Sequence, residues 1–158
     1  MKRILFACTG NTCRSPMAQA LFSKIIRETQ LDSDFEVLSA GIFAYPACPA
    51  SPEAVEVLRQ EEIDISQHLS LPLSDDLLED AHLILSMTIS QRNYLQEIFP
   101  LKRDCIFSLA EFAGLGELDI IDPIGMGREA YLDTLQQLKT ILPQVLKEIL
   151  QRKSAGGI

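Results

Sequence analysis

The chain has 158 residues, of which 47% are apolar, and it carries a formal net charge of -8. This length and composition suit one domain with a single buried core. The excess of acidic residues argues against a broad nucleic-acid-binding surface, and the sequence predicts neither a signal peptide nor a membrane span. We therefore expect a cytoplasmic monomer that binds neither nucleic acid nor membranes.

Short apolar runs alternate along the chain with longer stretches of helical period. The patterns predict strands at residues 2–7, 35–39, 82–86 and 105–109, and helices at residues 16–29, 51–60, 74–80, 90–98 and 128–151. This alternation predicts an α/β fold, a flavodoxin-like three-layer sandwich with a four-stranded parallel sheet flanked by helices. We expect one domain at residues 1–153 and a frayed tail at residues 154–158.

The last predicted helix has one apolar face, which we expect to lie in the core. Its residues, three or four apart, are Tyr131, Leu135, Leu138, Leu142, Val145 and Ile149. Pro143 predicts a kink, because it removes a backbone donor and crowds the preceding turn. Tyr45 is also expected in the core.

The segment "CTGNTCRS" directly follows the first predicted strand. A loop between a strand and a helix start suits an anion, because its N–H groups can converge and the helix dipole adds positive potential. Gly10 permits unusual backbone angles, and Asn11 tolerates a left-handed turn. Arg14 offers a planar fork that matches two phosphate oxygens. The predicted phosphate-binding residues are Thr9, Gly10, Asn11, Thr12, Cys13, Arg14 and Ser15.

Cys8 lies at the floor of this predicted loop, where a helix start and Arg14 favour a reactive thiolate. Ser15 can donate a hydrogen bond to it. Such a nucleophile can attack a bound phosphoryl group in line. For an isolated cysteine, burial as a small apolar residue would be the better interpretation. Cys13 has two equally weighted interpretations, a packed thiol or a redox partner that traps oxidised Cys8 as a disulfide.

The four cysteines form no CxxC pair, and no histidine stands at metal-ligand spacing from them. The sequence therefore predicts no metal site and no disulfide framework. We expect no cofactor either, since Cys8 and Arg14 can supply nucleophile and charge.

The pattern Cys-x5-Arg-Ser after the first strand, followed by Pro-Met-Ala-x-Ala, resembles the low-molecular-weight protein phosphatases. The resemblance continues to a late Asp122-Pro123 and covers nearly the whole chain. It implies that Cys8 is the nucleophile, that Arg14 binds phosphate and stabilises the transition state, and that Asp122 is the general acid. Ser39 and His68 match positions that support the loop in this family, although each is equally compatible with a structural role.

Within this family, Thr12 resembles the protein-arginine-phosphatase branch, where a threonine helps select phosphoarginine. Tyrosine phosphatases of the family usually have an apolar branched residue there, and aromatic residues follow their Asp-Pro. Here Ile124 follows instead, a departure from both branches. Thr12 and Ile124 are thus the candidate specificity residues, and phosphorylated proteins are the expected partners. We predict a protein phosphatase that acts on phosphoarginine, with phosphotyrosine as the alternative.

Three other classes fit the loop less well. An arsenate reductase needs further cysteines placed for a disulfide relay, and Cys48 and Cys105 show no such spacing. A cysteine phosphocarrier should avoid a residue that activates water, as Asp122 could. A phosphoprotein-binding module would keep Arg14 without needing Cys8.

Overall fold

The sheet of this computed structural model, which describes residues 1–157, consists of four parallel strands. They are β1 (Lys2–Cys8), β2 (Phe35–Gly41), β3 (Leu83–Ser86) and β4 (Ile106–Ser108). Their spatial order is β2-β1-β3-β4, with every neighbouring pair parallel. The predicted four-stranded parallel sheet is confirmed.

Within residues 1–157, six α-helices and one short 3-10 helix connect and flank the strands. The α-helices are α1 (Arg14–Glu28), α2 (Pro52–Arg59), α3 (Asp75–Asp80), α4 (Ile89–Ile98), α5 (Leu109–Phe112) and α6 (Arg128–Ser154), and the 3-10 helix is Pro100–Cys105. All five predicted helices are present, with ends that differ by at most three residues. None of the described helices is both long and apolar enough to cross a bilayer.

Alternate side chains of each strand pack on opposite faces of the sheet, as a pleated strand requires. Ile4 and Phe6 of β1 belong to the larger core cluster, together with apolar residues of α1 and α6. Leu5 of β1 belongs to the smaller cluster on the other face, with Leu78 of α3 and Leu95 of α4. Helices therefore cover both faces, which gives the three layers that the sequence predicts.

The chain turns from β1 to β2 on one side of the sheet and later places β3 on the other side of β1. The carboxyl end of β1 is consequently a topological switch point, where the flanking loops diverge and leave a crevice. Cys8 is the last residue of β1. The fold thus places Cys8 at the position where open parallel sheets bind ligands.

Several local expectations change in the structure. The fourth strand is shorter than predicted, because Ser108 caps a short helix that begins at Leu109. Helix α6 continues through Pro143 as one element and ends at Ser154, three residues beyond the predicted end. The structure therefore places Ser154 of the expected tail in a helix, while Ile158 lies outside the described residues. Tyr45 is 82% exposed, so its expected core position is wrong.

The apolar face predicted for the last helix is confirmed. All six of its residues are buried: Tyr131, Leu135, Leu138, Leu142, Val145 and Ile149. Burial at three- and four-residue steps holds one side of α6 against the sheet and α1.

Candidate active site

The segment between β1 and α1, residues 8–15, is called here the Cys8 loop. Its first residue ends β1, and its last two begin α1. No side chain caps α1 within the described chain, so the N–H groups of its first turn have no side-chain acceptor. The positive end of the helix dipole therefore lies at the Cys8 loop, as an anion site requires.

The sulfur of Cys8 lies at the base of the loop with two polar neighbours. Ser15 Oγ is 2.8 Å from Cys8 Sγ, and the backbone N–H of Asn11 donates to the sulfur at 3.3 Å. The residue is only 3% exposed. Both neighbours can donate a hydrogen bond to the sulfur, and such donors stabilise a negatively charged sulfur more than a neutral one.

The side chain of Asn11 is fully buried and uses its whole carboxamide in hydrogen bonds. Its Oδ1 accepts from the backbone N–H of Leu71 at 2.9 Å, which fixes the orientation of the amide because that N–H can only donate. Its Nδ2 donates to Ser15 Oγ at 2.8 Å and to Ser39 Oγ at 2.9 Å. Ser39 in turn donates to Gln19 Oε1 at 2.6 Å. The loop is therefore tied to β2 and to the segment around residue 71.

Donors outside the loop bind its backbone carbonyl groups. Ile42 and Phe43 donate from their backbone N–H groups to the carbonyls of Cys8 and Thr9, at 2.8 and 3.0 Å. His68 Nε2 donates to the carbonyl of Asn11 at 2.8 Å, and the backbone N–H of Ser51 donates to that of Thr12 at 2.9 Å. Four carbonyl groups are thus engaged with outside donors. The interior of the loop is left to N–H groups, which attract an anion.

Gly10 and Asn11, the two residues expected to allow the turn of the Cys8 loop, differ in backbone conformation. Asn11 adopts a left-handed conformation with φ of 55°, as the sequence predicts. Gly10 does not adopt a left-handed φ, although a glycine permits one there. The glycine that sequence reasoning missed is Gly41, where a Cβ would lie 2.8 Å from the Thr9 carbonyl oxygen and 3.0 Å from the Asn11 nitrogen. A side chain at Gly41 would therefore displace the Cys8 loop.

The guanidinium of Arg14 is buried and connects the loop to the segment before α6. Its Nη1 donates to the backbone carbonyl of Ile120 at 3.0 Å, and its Nη2 lies 3.5 Å from Asp122 Oδ2. Asp122 is 108 positions further along the chain, and its side chain is 48% exposed. The backbone N–H of Ile124 donates to Asp122 Oδ1 at 3.2 Å, which orients the carboxylate. Arg14 and Asp122 therefore face the same small space.

That space is a pocket of about 120 Å³. Its lining consists of Cys8, Thr9, Gly10, Asn11, Thr12, Cys13, Arg14, Asp122 and Ile124. The predicted catalytic and specificity residues thus meet in one pocket, and Ser15 lies buried behind it. Since a water molecule takes up about 30 Å³, the pocket holds roughly the volume of a phosphoryl group and its attached atoms.

Cys13 does not lie free beside Cys8. Its sulfur is 3.3 Å from the Tyr131 hydroxyl, 3.4 Å from Ser51 Oγ and 3.7 Å from Thr12 Oγ1. Burial raises the pKa of the Tyr131 hydroxyl, and its hydrogen bond with Cys13 raises that pKa further. Tyr131 therefore remains protonated at neutral pH. Ser51 stands at the N-cap of α2, but its hydroxyl contacts the Cys8 loop rather than capping the helix.

Sequence reasoning missed an exposed aromatic pair beside the pocket. The rings of Phe43 and Tyr94 lie 5.4 Å apart, and Phe43 is 67% exposed. The hydrogen bond from the Phe43 backbone N–H to the Thr9 carbonyl places the backbone of Phe43 next to the Cys8 loop, on the segment after β2. The only available signal was an aromatic residue shortly after a strand, which is common in cores as well.

Comparisons with known proteins agree with this geometry. The family model described as low molecular weight phosphotyrosine protein phosphatase matches residues 3–155, and the chain belongs to this family. A protein-arginine-phosphatase of Bacillus subtilis (strain 168) is 40% identical over 92% of this chain and 95% of its own length.

Two solved structures are also similar to this chain. A low molecular weight protein tyrosine phosphatase from T. tengcongensis has a TM-score of 0.88 at 42% identity, over 94% of this chain and 99% of that chain. A YwlE arginine phosphatase with its active-site cysteine changed to a phosphorylated serine has a TM-score of 0.88 at 40% identity, over 96% of this chain and 95% of that chain. The family resemblance predicted from the Cys8 loop is confirmed.

Proposed function

We propose that this protein is a protein phosphatase that hydrolyses phosphoarginine through a phosphocysteine intermediate. The observation that carries the proposal is the position of Cys8 Sγ at the base of a pocket closed by Arg14 and Asp122. Phosphorylated proteins are the substrate class. Because the chemistry needs a reduced Cys8, we propose a cytoplasmic location, where thiols stay reduced.

In the first step, the phosphoryl oxygens bind to the inward N–H groups of the Cys8 loop and to the Arg14 guanidinium. Cys8 Sγ attacks phosphorus from the base of the pocket, so that the S–P bond forms as the P–N bond breaks. Asp122 donates a proton to the departing guanidinium nitrogen. Arg14 stabilises charge on the equatorial oxygens, and the carbonyl of Ile120 holds its guanidinium in place.

In the second step, a water molecule attacks phosphorus and the S–P bond breaks. Asp122 now removes a proton from that water, so one carboxylate serves both half-reactions. Ser15 stabilises the departing sulfur by donating its hydroxyl proton, since a thiolate can only accept a hydrogen bond. Inorganic phosphate leaves, and the enzyme returns to its starting state.

Thr12 favours phosphoarginine, and a related enzyme supports the covalent step. Thr12 lines the pocket. Among the described residues its hydroxyl has one possible hydrogen-bond partner, Cys13 Sγ, at a long distance of 3.7 Å. That hydroxyl and the Asp122 carboxylate suit a flat, hydrogen-bonding guanidinium better than an apolar side chain would. The phosphorylated active-site serine of the related arginine phosphatase also supports covalent transfer to the position matching Cys8.

Phosphotyrosine is the second candidate, and Phe43 favours it. Phe43 is exposed and its backbone is bonded to Thr9, so its ring is available to a bound phenyl group, whereas the segment after Pro123 has no aromatic residue. Aromatic faces pack well against a phenyl ring. Ile124 lines the pocket with an aliphatic side chain.

The deciding experiment measures kcat/KM on peptides of one sequence that carry either phosphoarginine or phosphotyrosine. Cys8→Ser is the blank, and Thr12→Ile tests the specificity residue. We expect the wild type to prefer phosphoarginine and Thr12→Ile to lose that preference. Faster turnover of phosphotyrosine by the wild type would reject the arginine assignment and retain the phosphatase mechanism.

A further inference from the structure

A larger groove lies outside the catalytic pocket, between the segment after α5 and one side of α6. Its volume is about 470 Å³. Leu115, Leu118 and Ile121 form one wall, and Gln137, Thr140 and Ile141 of α6 form the other. We call this concavity the α6 groove. None of these residues takes part in the proposed chemistry.

The α6 groove has an exposed apolar wall. Leu115, Leu118 and Ile121 are 45%, 49% and 58% exposed. Three large apolar side chains that line one concavity while open to solvent are typical of an interaction surface rather than of isolated exposed residues.

Gln137 provides a second, independent sign of a ligand. Its Oε1 is buried and has no hydrogen-bond partner among the described residues. A buried acceptor without a donor costs free energy, and Gln137 is one of the residues that line the groove. A backbone N–H group of a bound polypeptide would supply the missing donor.

One short segment of the chain contributes to both the groove and the catalytic pocket. Ile121 lines the groove, and the next residue, Asp122, lines the pocket. Thr134 of α6 donates to the carbonyl of Ile121 at 3.3 Å, which fixes this segment against the helix. The helix wall from residue 133 to residue 140 is about 10 Å long at 1.5 Å per residue. That length matches about three residues of extended chain.

The charges around the groove indicate which side chains a partner would carry. Residues 113–138 contain five acidic side chains: Glu117, Asp119, Asp122, Glu129 and Asp133. The single basic residue in that range, Arg128, is paired with Glu56 at 2.7 Å, and Lys139, which precedes Thr140, is paired with Glu61 at 2.7 Å. Asp133 lies in the groove wall itself. The surface next to the apolar wall therefore attracts basic side chains.

We propose that the α6 groove docks the polypeptide segment of the substrate protein next to the phosphorylated residue, and that it prefers apolar and basic side chains there. This inference rests on the proposed function, because it requires a protein substrate in the catalytic pocket. Docking raises kcat/KM for protein substrates and leaves hydrolysis of small phosphorylated compounds unaffected.

The test compares kcat/KM for free phosphoarginine with that for two phosphoarginine peptides. One peptide carries leucine and lysine within three residues on both sides of the phosphoarginine, and the other carries serine and glutamate there. Leu118→Gln removes an apolar contact and Thr140→Lys places a positive charge in the groove. Leu101→Gln is the matched control, because Leu101 is 95% exposed and lies in the 3-10 helix away from the groove.

We expect the wild type to favour the leucine-lysine peptide by about tenfold, the scale of burying one large apolar side chain. Leu118→Gln and Thr140→Lys should remove most of this preference, while leaving free phosphoarginine hydrolysis unchanged. Leu101→Gln should behave as the wild type. Equal peptide preference in the wild type and in Leu118→Gln would overturn the docking proposal.

Two further outcomes separate the docking proposal from its alternatives. If the wild type hydrolyses only phosphotyrosine, the proposed substrate is wrong, and the same peptide pair with phosphotyrosine decides the role of the groove. Sedimentation at high concentration tests a second copy of the chain as the occupant. A wild-type dimer that dissociates in Leu118→Gln would assign the groove to self-association and overturn substrate docking.

Discussion

The carboxamide of Asn11 donates to the hydroxyl of Ser15, which in turn lies within hydrogen-bond distance of the Cys8 sulfur. Asn11 Nδ2 donates to Ser15 Oγ at 2.8 Å, and Ser15 Oγ lies 2.8 Å from Cys8 Sγ. A thiolate can only accept a hydrogen bond, so the Ser15 hydroxyl donates to an ionised Cys8. A buried side chain that makes no direct contact with the sulfur thus holds a donor to the proposed nucleophile in position.

Asn11→Asp tests this arrangement without changing side-chain shape. Aspartate tolerates the left-handed φ of residue 11, but a carboxylate accepts hydrogen bonds and cannot donate to Ser15 or Ser39. We expect kcat/KM to fall by about two orders of magnitude, the scale of losing one donor to developing charge. The free energy of unfolding should fall by about 1–3 kcal/mol, because buried hydroxyl groups lose a partner.

The control for this variant is Asn93→Asp, an equivalent change at an exposed position. Its activity and unfolding should match the wild type. Wild-type turnover in Asn11→Asp would show that the orientation of Ser15 is unimportant for the reaction.

Gly41→Ala should disturb the Cys8 loop from outside it. The new Cβ would lie 2.5 Å from Ala44 Cβ and 2.8 Å from the Thr9 carbonyl oxygen, so the loop must shift. We expect a loss of about 1–3 kcal/mol of stability, typical of overpacking, together with lower kcat/KM. The comparison is Gly10→Ala, whose Cβ would meet only Thr12 Oγ1 at 3.7 Å. Its thermal unfolding should match the wild type, and equal unfolding of both variants would contradict the steric argument.

The sequence predicted the sheet, five helices and the pocket-lining residues, because these follow from local patterns and from a family motif. Short apolar runs between stretches of helical period identify strands when the rest of the fold pairs those runs in a sheet. The pattern was less informative at Leu109, where an apolar residue that could extend β4 starts a four-residue helix instead. A capping box from Ser108 and Glu111 decides that boundary, and it is visible in sequence only once the strand end is known.

The hydrogen bonds that hold the Cys8 loop in place were harder to predict, since they join residues far apart in the sequence. Leu71 donates to Asn11 across 60 positions, and Arg14 binds Ile120 across 106. The spacing of apolar residues within one helix or strand does not predict contacts between such distant residues. The importance of Gly41 is equally nonlocal, because it arises from the close approach of β2 to the Cys8 loop.

Asp122→Asn should slow phosphoarginine hydrolysis by about two to four orders of magnitude in kcat, the range for losing general acid catalysis. The nitrogen leaving group needs a proton, whereas p-nitrophenol leaves readily as an anion. The first step with p-nitrophenyl phosphate should therefore be affected less, which a burst of p-nitrophenol would report. Asp119→Asn is the control, since Asp119 accepts from the Ile89 backbone N–H and does not line the pocket. Equal losses in both variants would argue against an acid-base role for Asp122.

Tyr131→Phe tests whether the contact with Tyr131 restrains Cys13. Hydrogen peroxide converts the Cys8 thiol to a sulfenic acid and releases water. Attack by the Cys13 thiol then forms the disulfide and releases a second water. Cys13 must leave the Tyr131 hydroxyl, 3.3 Å away, to make this attack. Since a neutral hydrogen bond contributes about 1 kcal/mol, we expect disulfide formation to be about fivefold faster in Tyr131→Phe.

The measurement uses a background with Cys48→Ser and Cys105→Ser, so that loss of free thiols reports only Cys8 and Cys13. Peroxide is added, and thiol loss and the recovery of activity with dithiothreitol are followed over time. Tyr45→Phe is the control, because Tyr45 is 82% exposed. An unchanged rate in Tyr131→Phe would mean that the hydroxyl does not restrain Cys13. Irreversible inactivation without a disulfide would instead favour Cys13 as a packed thiol.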